Sequence, residues 1–88
     1  MKKYEKILKV LANINRLKIL SYLVRHTNVA VVDIAEHCNI SYKAVSKHLG
    51  MLYHADIVDR SRRQAEVHYR ISDTIHPIAS TVIKYIQK

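Results

Sequence analysis

The stretch ISYKAVSKHLGML, residues 40–52, decides the fold of this 88-residue chain. Val45, Leu49 and Leu52 recur at i, i+4 and i+7, and this spacing predicts the apolar stripe of an amphipathic helix. Ser41 comes just before the stripe, where a hydroxyl can accept a free backbone N–H and cap the helix. The opposite face carries ammonium, hydroxyl and phenol groups and no carboxylate: Tyr42, Lys43, Ser46 and Lys47. Such a face fits the major groove of DNA, and it also fits an ordinary solvated helix.

Composition favours a single small domain that binds a polyanion. Lys and Arg number 15 against 7 Asp and Glu, a formal net charge of +8. This excess favours nucleic acid as the partner, ahead of an anionic membrane surface. No apolar run approaches the roughly 20 residues of a membrane-spanning helix, and MKKYEKILKV does not resemble a signal peptide. A single cysteine, Cys38, cannot form an internal disulfide, so we expect a cytoplasmic protein with one domain over residues 1–88.

The residues before this stretch predict three further helices. Residues 3–12 have amphipathic spacing, and Asn13 can cap a second helix that runs to about residue 26. Residues 29–32 are β-branched apart from one alanine and predict a short strand, and a third helix is expected at about residues 33–37. Residues 38–40 then form a tight connection into the helix over residues 40–52. Two helices joined in this way form a helix-turn-helix unit.

After residue 53 the hydrophobic period changes from that of a helix to that of a strand. Val67, Tyr69 and Ile71 alternate with polar residues, as in a strand with one buried face. The simplest structure is a β-hairpin with three arginines near its tip: Arg60, Arg62 and Arg63. A basic hairpin after a helix-turn-helix fits a wing that touches phosphate or enters the minor groove. An ordinary solvated turn is the alternative.

The terminal helices carry more apolar surface than a small core can cover. Asp73 or Thr74 can cap a last helix over about residues 74–87, with Pro77 in its first turn. We expect a homodimer through the apolar faces of both terminal helices: Tyr4, Ile7, Leu8, Leu11, Ile75, Ile78, Ala79, Val82, Ile83 and Ile86. The alternative is that both helices pack only on the core of their own chain.

Taken together, these segments resemble the ArsR/SmtB winged-helix repressors. The matching segments are residues 11–20 (LANINRLKIL), 31–38 (VVDIAEHC), 40–52 and 68–71 (HYRI). The most specific of them is VSKHL, residues 45–49, which is similar to the V-S-[RK]-H-L core of that family's recognition helix. The resemblance implies a winged-helix homodimer, mainly α with a small β-hairpin (α+β), that represses transcription at a palindromic operator. It also implies that Tyr42, Lys43, Ser46 and Lys47 face bases or phosphates, with His48 close to the DNA backbone.

The chain departs from the metal-responsive members of that family. Their Cys-x-Cys pair falls on Ala30 and Val32, which cannot bind a metal. Asp73 and His76 lie near the first ligand pair of the terminal helix, but their spacing is one residue too long. The second pair falls on residues without a suitable ligand: Lys84, Tyr85 and Gln87. Two ligands do not complete the tetrahedral set that zinc prefers, so we expect no metal and no other cofactor.

The residues therefore favour a sequence-specific regulator that binds double-stranded DNA. Two alternatives stay open, a winged-helix module that binds protein or RNA and a regulator that senses metal through an atypical His/Asp site. We do not expect an enzyme, because the sequence has no paired carboxylates, no nucleophile–base arrangement and only one glycine for a phosphate loop.

Overall fold

The computed structural model describes residues 1–87. In that part of the chain, helices and strands follow in the order α1 (Lys2–Leu11), α2 (Ile14–Arg25), β1 (Val29–Ala30), α3 (Val31–Cys38), α4 (Tyr42–His54), β2 (Val58–Arg63), β3 (Glu66–Ile71) and α5 (Pro77–Ile86). This order confirms the predicted fold class, a mainly helical chain with a small β-hairpin. None of these helices is long and apolar enough to cross a membrane.

Side-chain caps define where the central helices begin. Asn13 Oδ1 accepts the backbone N–H groups of Asn15 and Arg16 at 3.0 and 3.1 Å, which starts α2. Ser41 Oγ accepts the Ala44 N–H at 3.1 Å, which starts α4 as the sequence predicted. Between α3 and α4, Asn39 has a φ of 56°, in the left-handed region that asparagine tolerates better than most residues. This turn is short because one left-handed residue reverses the chain, so α3 and α4 form the predicted helix-turn-helix.

The three strands form one antiparallel sheet in the order β1-β3-β2. β2 and β3 pair from Val58↔Ile71 to Arg63↔Glu66 and are joined by the two-residue loop Gln64-Ala65. β1 is only two residues long and pairs with the outer edge of β3, with Val29 opposite Tyr69. The hairpin is thereby anchored to the segment between α2 and α3, and its far end projects from the domain.

The core lies where α2, α3, α4 and the base of the hairpin meet. The fully buried large side chains come from all four of these parts: Ile19, Leu20, Ile34, Val45, Leu49, Leu52, Ile57 and Val58. The predicted stripe of α4 is therefore its core-facing side. On α2, Ile19 is fully buried, whereas Leu17 is only half-buried.

The terminal helices α1 and α5 pack against each other and against α2. Ile7 and Leu11 of α1 and Ala79 and Ile83 of α5 are buried in the core of their own chain. The remaining apolar residues on the predicted faces are half-buried or exposed: Tyr4, Leu8, Ile75, Ile78, Val82 and Ile86. Each terminal helix thus has an inner apolar side, used within the chain, and an outer apolar side.

Two predicted helix starts were wrong. The last helix begins at Pro77 rather than near residue 74, and its cap is His76, whose Nδ1 accepts the Ile78 N–H at 3.1 Å. Thr74 does not cap it, because its N–H and hydroxyl both contact the Ser72 hydroxyl in a local turn. The third helix begins at Val31 rather than near residue 33, and only Val29 and Ala30 of the predicted strand pair with β3.

Candidate nucleic-acid interface

The exposed side of α4 is a basic, hydrogen-bonding surface. Lys43 and Lys47 are exposed, Ser46 is half-buried, and Tyr42 at the first turn is 60% exposed. No residue of α4 carries a carboxylate, so these lysines have no acidic partner on their own helix. The opposite side of α4, with its apolar stripe, packs into the core. The structure therefore places the four residues predicted for this face on the outer part of one rigid helix.

The hairpin adjoins this surface through a cation–π contact. The Arg60 guanidinium carbon lies 3.9 Å from the centre of the Tyr53 ring in the last turn of α4. Tyr53 shares a side of α4 with Tyr42 and Ser46, because residues 42, 46 and 53 are spaced by four and seven. The contact therefore joins β2 to the same side of α4 that exposes Tyr42. Hydrogen bonding with the Tyr69 hydroxyl raises the pKa of Arg60, which keeps it cationic.

The sequence predicted that Arg60 lies near the tip of the hairpin, and this prediction was wrong. Arg60 pairs with Tyr69 in the middle of the ladder, because β2 extends to Arg63 and the turn comes only at Gln64. Arg62 pairs with Val67 and lies on the same sheet face as Arg60, whereas Arg63 is next to the turn on the other face. All three arginines are exposed. The hairpin thus has one arginine fixed against α4 and two arginines near its free end.

His48 faces the other side of α4, toward the start of α2. Its Nδ1 lies 3.3 Å from Arg16 Nη1. Partial burial lowers the pKa of His48, and the positive charges of Arg16 and Lys47 lower it further. The imidazole is therefore neutral at physiological pH. On α4, the two lysines lie between an edge that contacts the hairpin and an edge that contacts Arg16.

Arg16 and Tyr53 are the two residues of this region that the sequence prediction missed. Arg16 belongs to α2 and meets His48 across 32 positions of sequence, and Tyr53 looks like an ordinary aromatic residue at the end of a helix. Neither contact follows from local spacing. An arginine in the first turn of a helix has the same sequence pattern whether its side chain bridges other helices or is solvated.

Both residues of the atypical His/Asp pair, Asp73 and His76, contact other groups of their own chain. His76 Nδ1 is occupied as the cap of α5, and Asp73 Oδ2 lies 3.3 Å from Arg70 Nη1. Within residues 1–87, no three His, Cys, Asp or Glu side chains are grouped so that they could hold a metal ion. Cys38 is half-buried, and burial raises the pKa of its thiol, against a smaller opposite effect of Lys18. A raised pKa keeps this thiol protonated and poorly reactive.

A helix-turn-helix whose second helix exposes a basic face, followed by a hairpin with exposed arginines, defines a winged helix-turn-helix DNA-binding protein. Comparison with known proteins agrees with this class. A profile described as "Bacterial regulatory protein, arsR family" matches residues 13–60, more than half of the chain. The chain belongs to this family and is a DNA-binding transcriptional regulator.

Three known proteins are similar to this chain in sequence or in fold. The transcriptional repressor SdpR of Bacillus subtilis (strain 168) is 32% identical over 69 residues, which are 78% of this chain and 76% of SdpR. The homodimeric winged helix-turn-helix domain of Mb0332 from Mycobacterium bovis has a TM-score of 0.82 at 26% identity, covering 98% of this chain and 76% of that one. The transcriptional repressor PagR of Bacillus anthracis has a TM-score of 0.79 at 27% identity, covering 97% and 93% of the two chains.

Proposed function

We propose that two copies of this chain form a repressor that binds a palindromic operator in the bacterial cytoplasm. One observation carries the proposal: the carboxylate-free outer face of α4 continues into an arginine-bearing hairpin through the stack of Arg60 on Tyr53. The relatives add support, since SdpR and PagR are described as repressors and the Mb0332 domain as a homodimer. The proposal includes no metal, no other cofactor and no catalytic activity.

In this proposal the exposed face of α4 enters the major groove. The ammonium groups of Lys43 and Lys47 donate to guanine edges or phosphates, and Ser46 and Tyr42 donate or accept at neighbouring positions. Arg62 and Arg63 contact the flanking backbone, and Arg60 braces the hairpin against α4. Two α4 helices related by a two-fold axis would read half-sites about 34–36 Å apart, one turn of B-DNA.

Selection from a random pool of duplex DNA at moderate salt tests this function. The expected winner is an inverted repeat whose half-sites are one helical turn apart. A protein- or RNA-binding module would enrich no duplex sequence, and that result would overturn the proposal. Repeating the selection with zinc or copper should give the same sequence with the same affinity.

Substitution of the lysines then separates base reading from charge. Lys43→Ala or Lys47→Ala should weaken binding to the selected operator by about 1–3 kcal/mol if the lysine contacts a base, with a smaller effect on random DNA. Lys18→Ala on α2 is the matched control, because it also removes one lysine but lies on another helix. Equal losses on operator and random DNA would show that the lysine contacts only phosphate.

A further inference from the structure

Arg16 connects the end of α1 to the middle of the DNA-binding helix. Its Nε donates to the carbonyl of Val10 and its Nη2 to the carbonyl of Lys9 at 3.4 Å. These carbonyls belong to the last turn of α1, where the Lys9 carbonyl also accepts the Ala12 N–H at 3.2 Å. On its other side, Nη1 lies 3.3 Å from His48 Nδ1 and 3.2 Å from Met51 Sδ, both on α4. One side chain on α2 thus contacts both α1 and α4.

The contact with Arg16 determines which nitrogen of His48 carries the proton. A guanidinium has only donors, so His48 Nδ1 must accept the hydrogen bond. In a neutral imidazole, the other nitrogen then carries the hydrogen. The Nε2–H of His48 has no hydrogen-bond partner within residues 1–87, and the ring is only half-buried. The arrangement therefore leaves one free N–H donor on the Arg16 side of α4.

The charges around His48 favour the same neutral form. Arg16 faces the ring from α2, Lys47 adjoins it on α4, and no carboxylate of residues 1–87 forms an ion pair or hydrogen bond with it. A proton on Nδ1 would remove the hydrogen bond from Arg16 and place two cations side by side. Protonation of the ring is thus opposed by both the broken hydrogen bond and the repulsion.

We propose that Arg16 is a positioning residue for DNA binding, which holds His48 as an Nε2–H donor to a backbone phosphate and ties that donor to α1. This inference rests on the DNA-binding function proposed above. A neutral N–H donor fits a phosphate oxygen at the edge of the groove while the lysines of α4 face its floor. Lys6 makes a second tie between the same two helices, since its Nζ lies 3.5 Å from the carbonyl of His54 at the end of α4.

The hydrogen bonds from Arg16 to α1 couple the position of α1 to the position of His48. α1 carries part of the outer apolar side described above, and Arg16 hydrogen-bonds to its last turn. A displacement of α1 relative to α2 would therefore move the guanidinium away from His48. The position of the phosphate donor on α4 is thereby linked to the position of a terminal helix.

The first experiment tests the tautomer without DNA. Long-range proton–nitrogen NMR spectra of the free protein should show His48 protonated on Nε2 and unprotonated on Nδ1. The pKa of His48 in the same spectra should rise when Arg16 is replaced by Met, which has a similar length but no donor. Lys18→Met is the matched control on α2 and should leave the His48 signals unchanged. An Nδ1–H tautomer, or a pKa that ignores Arg16→Met, would overturn the proposal even if the protein binds DNA.

The second experiment measures affinity for a selected operator duplex between pH 6 and pH 8. His48→Leu, which lacks the donor, should weaken binding about fivefold, as removal of one neutral hydrogen bond implies. His48→Gln, which retains an acceptor and a donor, should recover most of that affinity. If Leu and Gln bind equally, the hydrogen bond is absent and the proposal fails.

The pH profile separates positioning from a merely structural role of Arg16. With Arg16 present, its positive charge opposes protonation of His48, so the profile of the wild type should stay close to that of His48→Gln. In the Arg16→Met protein, the negative phosphate next to His48 raises the pKa of the ring in the complex above its value in the free protein. His48 then takes up a proton when the variant binds DNA. Affinity of Arg16→Met should therefore rise as pH falls, and Arg16→Met/His48→Gln should not show that rise.

Folding controls keep this test decisive. Arg16→Lys retains the charge without the guanidinium fork, and it should shift the His48 pKa less than Arg16→Met does. Circular dichroism and thermal melting of each variant report whether α1 and α2 remain folded. If folded Arg16→Met has the pH profile of the wild type, Arg16 does not position His48. If neither the wild type nor any variant binds the operator duplex, the operator binding proposed above is wrong, and the NMR result still judges the tautomer.

Discussion

At the scale of single residues, a small number of polar side chains set the ends of the helices and connect α2 to its neighbouring helices. Asn13 accepts two backbone N–H groups that α2 would otherwise leave free. Arg16, the second of these donors, then uses its side chain to reach α1 and α4. The cap at Asn13 therefore also fixes the backbone from which the Arg16 side chain extends.

Removal of this cap should destabilise the domain measurably. Asn13→Ala should lower the free energy of unfolding by about 1 kcal/mol, within the range of roughly 0.5–2 kcal/mol for such caps. Asn13→Ser, which retains an acceptor, should lie close to the wild type. Urea denaturation followed by circular dichroism measures both. Equal stability of the Ala and wild-type proteins would mean that water satisfies these N–H groups as well as asparagine does.

Residue chemistry also shows which helix starts the sequence could predict. Asn13 and Ser41 were predicted as caps because each precedes an apolar period and each has a short side-chain acceptor. The cap of α5 was missed because Asp73 and Thr74 are better capping residues than His76 by propensity. In the folded chain Asp73 contacts Arg70 and Thr74 contacts Ser72, so tertiary and turn contacts remove both from this role.

At the scale of elements, α4 is held along two edges while its exposed side stays free. The period of its apolar residues was sufficient to predict the helix and its buried face. The partners of its edges, Arg60 on one side and Arg16 on the other, were not predictable, because each contact depends on how separate elements pack. The same holds for β1, whose pairing with β3 gives two residues a defined strand geometry.

Gly50 offers a direct test of the stability of α4. This residue lies inside the helix without a positive φ, and a Cβ added there meets no atom within 4 Å. Gly50→Ala should therefore raise the free energy of unfolding by about 0.5–1 kcal/mol, because alanine loses less backbone entropy. The expected rise in melting temperature is roughly 4–8 °C per kcal/mol for a domain of this size. A lower melting temperature would show that α4 needs the flexibility of glycine.

The hairpin makes a separate, sequence-independent contribution in our proposal. Arg62→Gln and Arg63→Gln should each reduce the slope of log affinity against log salt by about 0.9, the value expected when a protein neutralises one phosphate fewer. Arg25→Gln at the end of α2 removes an exposed positive charge outside this surface and serves as the control. A slope that stays constant in both hairpin variants would remove the hairpin from the DNA interface.

At the scale of the whole molecule, our proposal places the contact between two copies on the terminal helices. The sequence predicted an apolar stripe on each helix, but a stripe alone does not show which members face the chain's own core. The packing of α1 and α5 on α2 divides each stripe into two sides. The residues that face the core of the same chain are Ile7, Leu11, Ala79 and Ile83. The proposed dimer must therefore use the outer side of these helices, on which Tyr4 and Leu8 are 42% and 49% exposed.

Leu8→Asp tests this interface without disturbing the core. A charge at this exposed position should abolish dimers on a sizing column and leave the circular dichroism spectrum unchanged, because burying an unpaired carboxylate in a dimer interface costs several kcal/mol. Val32→Asp on α3, at a residue 48% exposed, introduces the same charge elsewhere and should remain dimeric. Ile83→Asp is a poor substitute, since Ile83 is 5% exposed and its replacement should unfold the chain. If Leu8→Asp elutes as the wild type does, α1 lies outside the interface. If the wild type itself elutes as a monomer, the proposed dimer is wrong.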